Sequence, residues 1–99
     1  MEAAVLKDYE SAPEFGEFEE PSPNGTALVE VAVAGINPVD HTIASGKFPG
    51  REPPLPSVPG LEGIGSVDGR RVYFDSPVAP FGSLGERTLV AEDELIMAM

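Results

Sequence analysis

The chain has 99 residues, no cysteine, eleven glycines, eleven prolines and a formal net charge of −11. A chain this long buries ~60 to 70% of its unfolded surface, enough for one modest core, which excludes a two-domain enzyme within these residues. The lack of cysteine removes any disulfide framework or thiolate metal site, and seventeen acids against six bases leave no basic footprint for nucleic acid or an anionic membrane.

The uncharged apolar run through Ala32 to Ile36 falls far short of the ~20 residues of a membrane span. The opening MEAAVLKDYE is too acidic and too poor in apolar residues for a signal peptide. These features favour a soluble, cytoplasmic protein. At 41% hydrophobic and 23% charged residues, the acidity reads as solvated surface and not as disorder. Seven acids and one lysine fall in the first twenty residues.

Frequent glycine and proline favour short strands joined by turns, hence a mainly β barrel or sandwich. Ala3 to Leu6 is a candidate first strand, with Phe15 to Glu19 as its partner. Asn24-Gly25 is a turn dipeptide, and Ala27 to Ala34 behind it alternates Val29, Val31 and Val33 with Leu28, Glu30, Ala32 and Ala34. That pattern predicts a strand with its valine face in the core. Asn37-Pro38 then resembles a helix start, with Asn37 as N-cap, Pro38 at the first helical position and Asp40 in the first turn. One short helix near residues 38–45 follows, with Val39 and Ile43 on its buried face and Gly46 as its left-handed terminator.

Prolines 53, 54, 56 and 59 predict a stiff surface connection. Gly60 to Val67 and Arg70 to Phe74 flank Asp68-Gly69 and read as a tight hairpin. Glu86 to Ala91 is the last long strand, and Leu95 to Met97 is placed to add a short one.

Several residues invite a functional reading beside a structural one. Asn37 and Asp40 are explained by capping alone, and are also the candidate active-site residues. His41 is the sole histidine, with no identifiable Ser or Cys partner. Gly60, Gly63 and Gly65 follow a G-x-x-G-x-G spacing, the reverse of the dinucleotide fingerprint, and are better read as close packing in a strand. Glu62 lies between Leu61 and Ile64, and a carboxylate there needs a partner, for which Arg70, Arg71 or Arg87 are candidates. Glu10, Glu14, Glu17, Glu19 and Glu20 lack the spacing of a calcium loop and read as solvated surface. Arg70-Arg71 is two bases in a hairpin and no nucleic-acid patch, and Pro53-Pro54-x-Pro56 fits a structural loop better than a ligand for a polyproline-binding groove.

Taken together and in order, Gly35-Ile36-Asn37-Pro38-Val39-Asp40, Leu55-Pro56-x-x-Pro59-Gly60-x-Glu62-Gly63-x-Gly65-x-Val67, Arg71-Val72 and Gly82-Ser83-x-x-Glu86 resemble the N-terminal part of the medium-chain dehydrogenase/reductase superfamily. The likeness is strongest to the zinc-independent quinone oxidoreductase branch and covers essentially the whole chain. It implies a GroES-like, partly open β-barrel on the substrate side of an enzyme whose Rossmann domain, absent from residues 1–99, binds NADPH.

The zinc-dependent relatives implied by that resemblance carry Cys where Asn37 stands and His where Leu61 stands. Leu61 cannot coordinate a metal and an amide is a poor zinc ligand, so the expected site holds no zinc. By the same resemblance, Asn37 faces the nicotinamide and substrate, and Asp40 supports it from the helix. Thr42 and Phe48 stand where many members carry tyrosine, so no phenol is expected to shape the pocket there. The substrates implied are quinones or enones, with the isolated chain inactive. A half-enzyme would also expose the surface that faces its partner domain and could form a homo-oligomer through it. A free-standing β-barrel interaction module is the alternative from another class, and a co-chaperonin-like ring subunit is a weaker one.

Overall fold

A computed structural model describes residues 1–97. Seven strands and one helix run in the order β1 (Glu2–Val5), β2 (Glu14–Glu17), β3 (Ala27–Gly35), α1 (Pro38–Ala44), β4 (Glu62–Val67), β5 (Arg70–Phe74), β6 (Arg87–Val90) and β7 (Ile96–Met97), with one 3-10 turn at Glu92–Glu94 before β7. The architecture is the mainly β, GroES-like arrangement expected. Strands β1 and β2 pair as a ribbon, and the other five form an antiparallel sheet in the order β6-β3-β4-β5-β7. Strands β6 and β7 stand at its two ends, so the sheet is not closed into a barrel.

The expected turns form where the sequence puts them. Asp68 and Gly69 both have positive φ, 50° and 79°, as a two-residue hairpin turn demands. The pairing that follows sets Val67 against Arg70 and Ile64 against Tyr73. Gly25 (φ 80°) turns the chain into β3, and Gly46 (φ 73°) ends α1 in the left-handed region.

Two apolar clusters hold the molecule together. One joins Met1, Ala3, Val5, Val58, Phe81 and Leu89, with the Phe18 ring packed edge-on to Phe81. The other joins Val29, Val72, Phe74 and Val90. Strand β6 feeds both, Leu89 to the first and Val90 to the second. Its alternation therefore does not separate a wet face from a dry one. Thr88 on the same strand is fully buried, and its hydroxyl is satisfied by donating to the Phe81 carbonyl at 2.6 Å.

Three expectations about burial are corrected. Val33 is not in the core but 61% exposed. Its strand pairs Val31 with Gly65 and Val33 with Ile64, so Ala32 is the extra residue of a β-bulge that turns the following side chains to the other face. On α1 the buried residue is Asp40, with Val39 and Ile43 half-buried. The proline-rich connection is not all surface, since Ser57 and Val58 are buried and bridge to Leu6 and Phe81.

Candidate functional site

The end of β3, the start of α1 and the start of β4 meet at Asn37. Gly35 is paired with Glu62, and a Cβ on Gly35 would come within 2.7 Å of Glu62 Oε1. Glycine at that position lets the Glu62 side chain lie across β3 toward the helix start. There Asn37 Nδ2 donates to Glu62 Oε1 at 2.9 Å. On the other side, the Tyr73 hydroxyl donates to Glu62 Oε2, also at 2.9 Å. Both carboxylate oxygens are thus engaged by neutral donors.

Asn37 is the N-cap of α1, and Asp40 closes the helix start. The Asn37 N–H donates to Asp40 Oδ2 at 2.8 Å, while the Asp40 N–H donates back to the Asn37 carbonyl at 2.9 Å. Main chain and side chain of Asn37 are therefore held from opposite directions, by Asp40 and by Glu62. Because a carboxylate can only accept, the Asn37 amide must turn its NH₂ toward Glu62 and its carbonyl oxygen away from it.

The electrostatics follow from this geometry. The hydrogen bonds from Asn37 and then Tyr73 hold the Glu62 carboxyl below the usual carboxylate range, against the opposing effect of burial. The same bond to Glu62 pushes the Tyr73 phenol above its ordinary value, helped by burial.

Asn37 and Asp40 are brought together as the sequence pattern implies. Glu62 joins them, but none of the arginines proposed for it does. Arg71 is opposite Ser66 and Arg70 opposite Val67, both exposed at the turn, and Arg87 grips Glu20 through two bonds of 2.7 and 2.8 Å. Glu20 is thus no purely solvated acid, and this grip lowers its carboxyl to about 2. Sequence reasoning missed Tyr73. Counting outward from Asp68-Gly69 would have found it, since that register places Tyr73 opposite Ile64 and on the face of Glu62. His41 is exposed on α1.

On the donor side, a hydrocarbon, Leu61, and an amide committed to Glu62 stand at the two positions compared with zinc ligands. Among the described residues no three His, Asp or Glu side chains gather as a metal site. This donor set does not fit a catalytic zinc. No helix among those residues is long and apolar enough to cross a membrane.

The Asn37 network lies at the margin of an apolar row. Cross-strand pairs connect Val33 to Ile64, Ile64 to Tyr73 and Tyr73 to Ile96. Val33, Ile64 and Ile96 are 61%, 41% and 54% exposed.

Residues 23–96 match the family described as the alcohol dehydrogenase GroES-like domain. The chain belongs to that family. This GroES-like domain is 38% identical over 68 residues to an alcohol dehydrogenase of Geobacillus stearothermophilus, covering 68% of this chain and 20% of that protein. It is 35% identical over 88 residues to the chloroplastic NADPH-dependent alkenal/one oxidoreductase of Arabidopsis thaliana, covering 71% and 22%. In structure it resembles the quinone oxidoreductase of Thermus thermophilus, which was also solved with NADPH, at a TM-score of 0.84 and 34% identity, over 97% of this chain and 32% of that one. The GroES-like domain thus spans about a fifth to a third of the relatives' lengths. It is an N-terminal domain of the medium-chain dehydrogenase/reductase type, related to quinone and alkenal oxidoreductases.

Proposed function

We propose that this GroES-like domain, residues 1–99, is the substrate side of a zinc-independent oxidoreductase that reduces quinones or enones with NADPH and is inactive by itself. The observation that carries the reading is the Asn37–Glu62–Tyr73 network beside the uncovered row Val33, Ile64 and Ile96. A fixed amide at the edge of an apolar face is what a site closed by a second domain needs. The amide orients a polar group, and the hydrocarbon excludes water.

Among the described residues, the glycines of β4 are committed to packing. Gly63 and Gly65 face inward in β4, where a Cβ would meet the carbonyl oxygens of Val33 at 2.6 Å and of Glu30. Their spacing serves sheet packing and not a phosphate. NADPH supplies a hydride when bound, and its binding is assigned to a Rossmann domain outside this chain. In this reading Asn37 presents its amide to the substrate and nicotinamide. Asp40 is a positioning residue that holds the Asn37 main chain, and Glu62 positions its side chain.

The test is a comparison of two proteins. The isolated chain should show no saturable NADPH binding at micromolar concentration. A chimera that replaces the matching part of the Thermus thermophilus quinone oxidoreductase with this chain should bind NADPH and reduce a quinone or an enone, with kcat lowered by Asn37→Ala. Saturable binding by the isolated chain, or a folded NADPH-binding chimera inert toward both substrate classes, would overturn the reading.

A further inference from the structure

A cavity of about 270 Å³ opens between α1, residues 50–61 and residues 77–82. Its walls are largely hydrocarbon, including Leu6, Ile43, Leu61 and Phe81. Two buried oxygens interrupt them. Asp40 is 8% exposed and Ser57 3% exposed, and both line the cavity. Neither Asp40 Oδ1 nor Ser57 Oγ has a hydrogen-bond partner among the described residues.

The other Asp40 oxygen, Oδ2, is committed to the Asn37 N–H. Oδ1 is therefore the oxygen left for a ligand. A buried carboxylate without a countercharge is unfavourable, and its stable partner is a hydrogen-bonding cation. Arg51, which also borders the cavity, carries its guanidinium over the Phe48 ring at 5.8 Å. Glu52 adds a second acid at the exposed rim.

We propose that this cavity binds a compact primary amine. Its ammonium donates to Asp40 Oδ1 and Ser57 Oγ, and its apolar body lies against Leu6, Ile43 and Phe81. An ammonium brings three N–H donors and a positive charge to two acceptor oxygens, whereas an alcohol brings one donor and no charge. The volume lies just below the ~300 to 1,000 Å³ of pockets for drug-sized ligands, which limits the body to about one ring. The chain's net charge of −11 raises the local concentration of cations without choosing among them. The selectivity must come from the cavity. The cavity shares Asp40 and Leu61 with the candidate active site, but binding of the amine needs neither NADPH nor a second domain.

The test is an amide NMR titration of the chain at neutral pH with benzylamine, benzyl alcohol and toluene. Benzylamine should bind saturably, shifting Leu6, Asp40, Ile43, Ser57 and Phe81 together. Benzyl alcohol and toluene should bind at least about tenfold more weakly, the loss expected when a hydrogen bond to a charged group is removed. Asp40→Asn should weaken benzylamine by a similar factor. If that variant disturbs the helix start, Ser57→Ala should still weaken the amine more than it weakens toluene. Equal binding of amine and alcohol, shifts confined to the acidic residues 8–20, or no saturation with any probe would overturn the proposal.

Discussion

Glu62 accepts hydrogen bonds from two neutral donors, Asn37 and Tyr73, and that makes its proton sensitive to both. Its folded pKa lies below the unfolded one, so the stability it contributes is present above about pH 4.5 and is lost as pH falls through the folded value. Tyr73 has the opposite sign. Its raised phenol contributes stability below the ordinary value of about 10, lost as pH rises through the folded one. Glu62→Gln should therefore flatten the acid limb of the urea midpoint plotted against pH, and the phenolate absorbance of Tyr73 should develop at lower pH than in the parent. An acid limb and a phenolate transition both unchanged by the substitution would show that the network does not form. Asn37 and Asp40 were legible because a helix cap has a local signature. The Glu62 pairing was not, because an acid in a strand advertises a need for donors without naming them, and Arg87 was already taken by Glu20.

At the scale of elements, local chemistry made the hairpin, the helix start and the turn before β3 readable. The facing of side chains was less so. The bulge at Ala32 has no residue signature, yet it turns Val33 out of the core. The two-sided burial of β6 depends on clusters built from β1, β3 and β5, which its own alternation cannot reveal. The glycines of β4 are a clearer case of sequence serving packing. A Cβ at Gly65 would meet the Glu30 carbonyl oxygen and lie 2.7 Å from Val29 Cγ1. Backbone and a fully buried side chain cannot both move aside, so Gly65→Ala should destabilise by at least about 1–3 kcal/mol in denaturant unfolding. Gly16→Ala, also in a strand but with nothing within 4 Å of the added carbon, should change stability by no more than about 0.5 kcal/mol. Similar losses at the two positions would mean that the close approach in β4 does not decide what glycine does here, since chain entropy alone favours alanine.

For the whole molecule, two features oppose each other. The colinear motifs made the family legible from sequence, but the exposed row of Val33, Ile64 and Ile96 emerged only from the register of four strands. Such a row favours association with a copy of the chain when no other domain covers it. The net charge of −11 opposes it, because two copies repel each other over distances comparable to the Debye length of about 30 Å at 0.01 M salt and about 10 Å at 0.1 M. Apolar contact is not weakened by that screening, whereas the repulsion is. Sedimentation velocity should therefore show a monomer at low salt and a growing dimer fraction as salt is raised at fixed protein concentration. Ile64→Lys places a charge in the middle of the row and should hold the chain monomeric throughout that range. Arg71→Ala, an exposed change on the neighbouring strand, should leave the salt response in place. A parent chain that stays monomeric at high salt, or an Ile64→Lys variant that dimerises as readily as the parent, would show that the row is not an association surface.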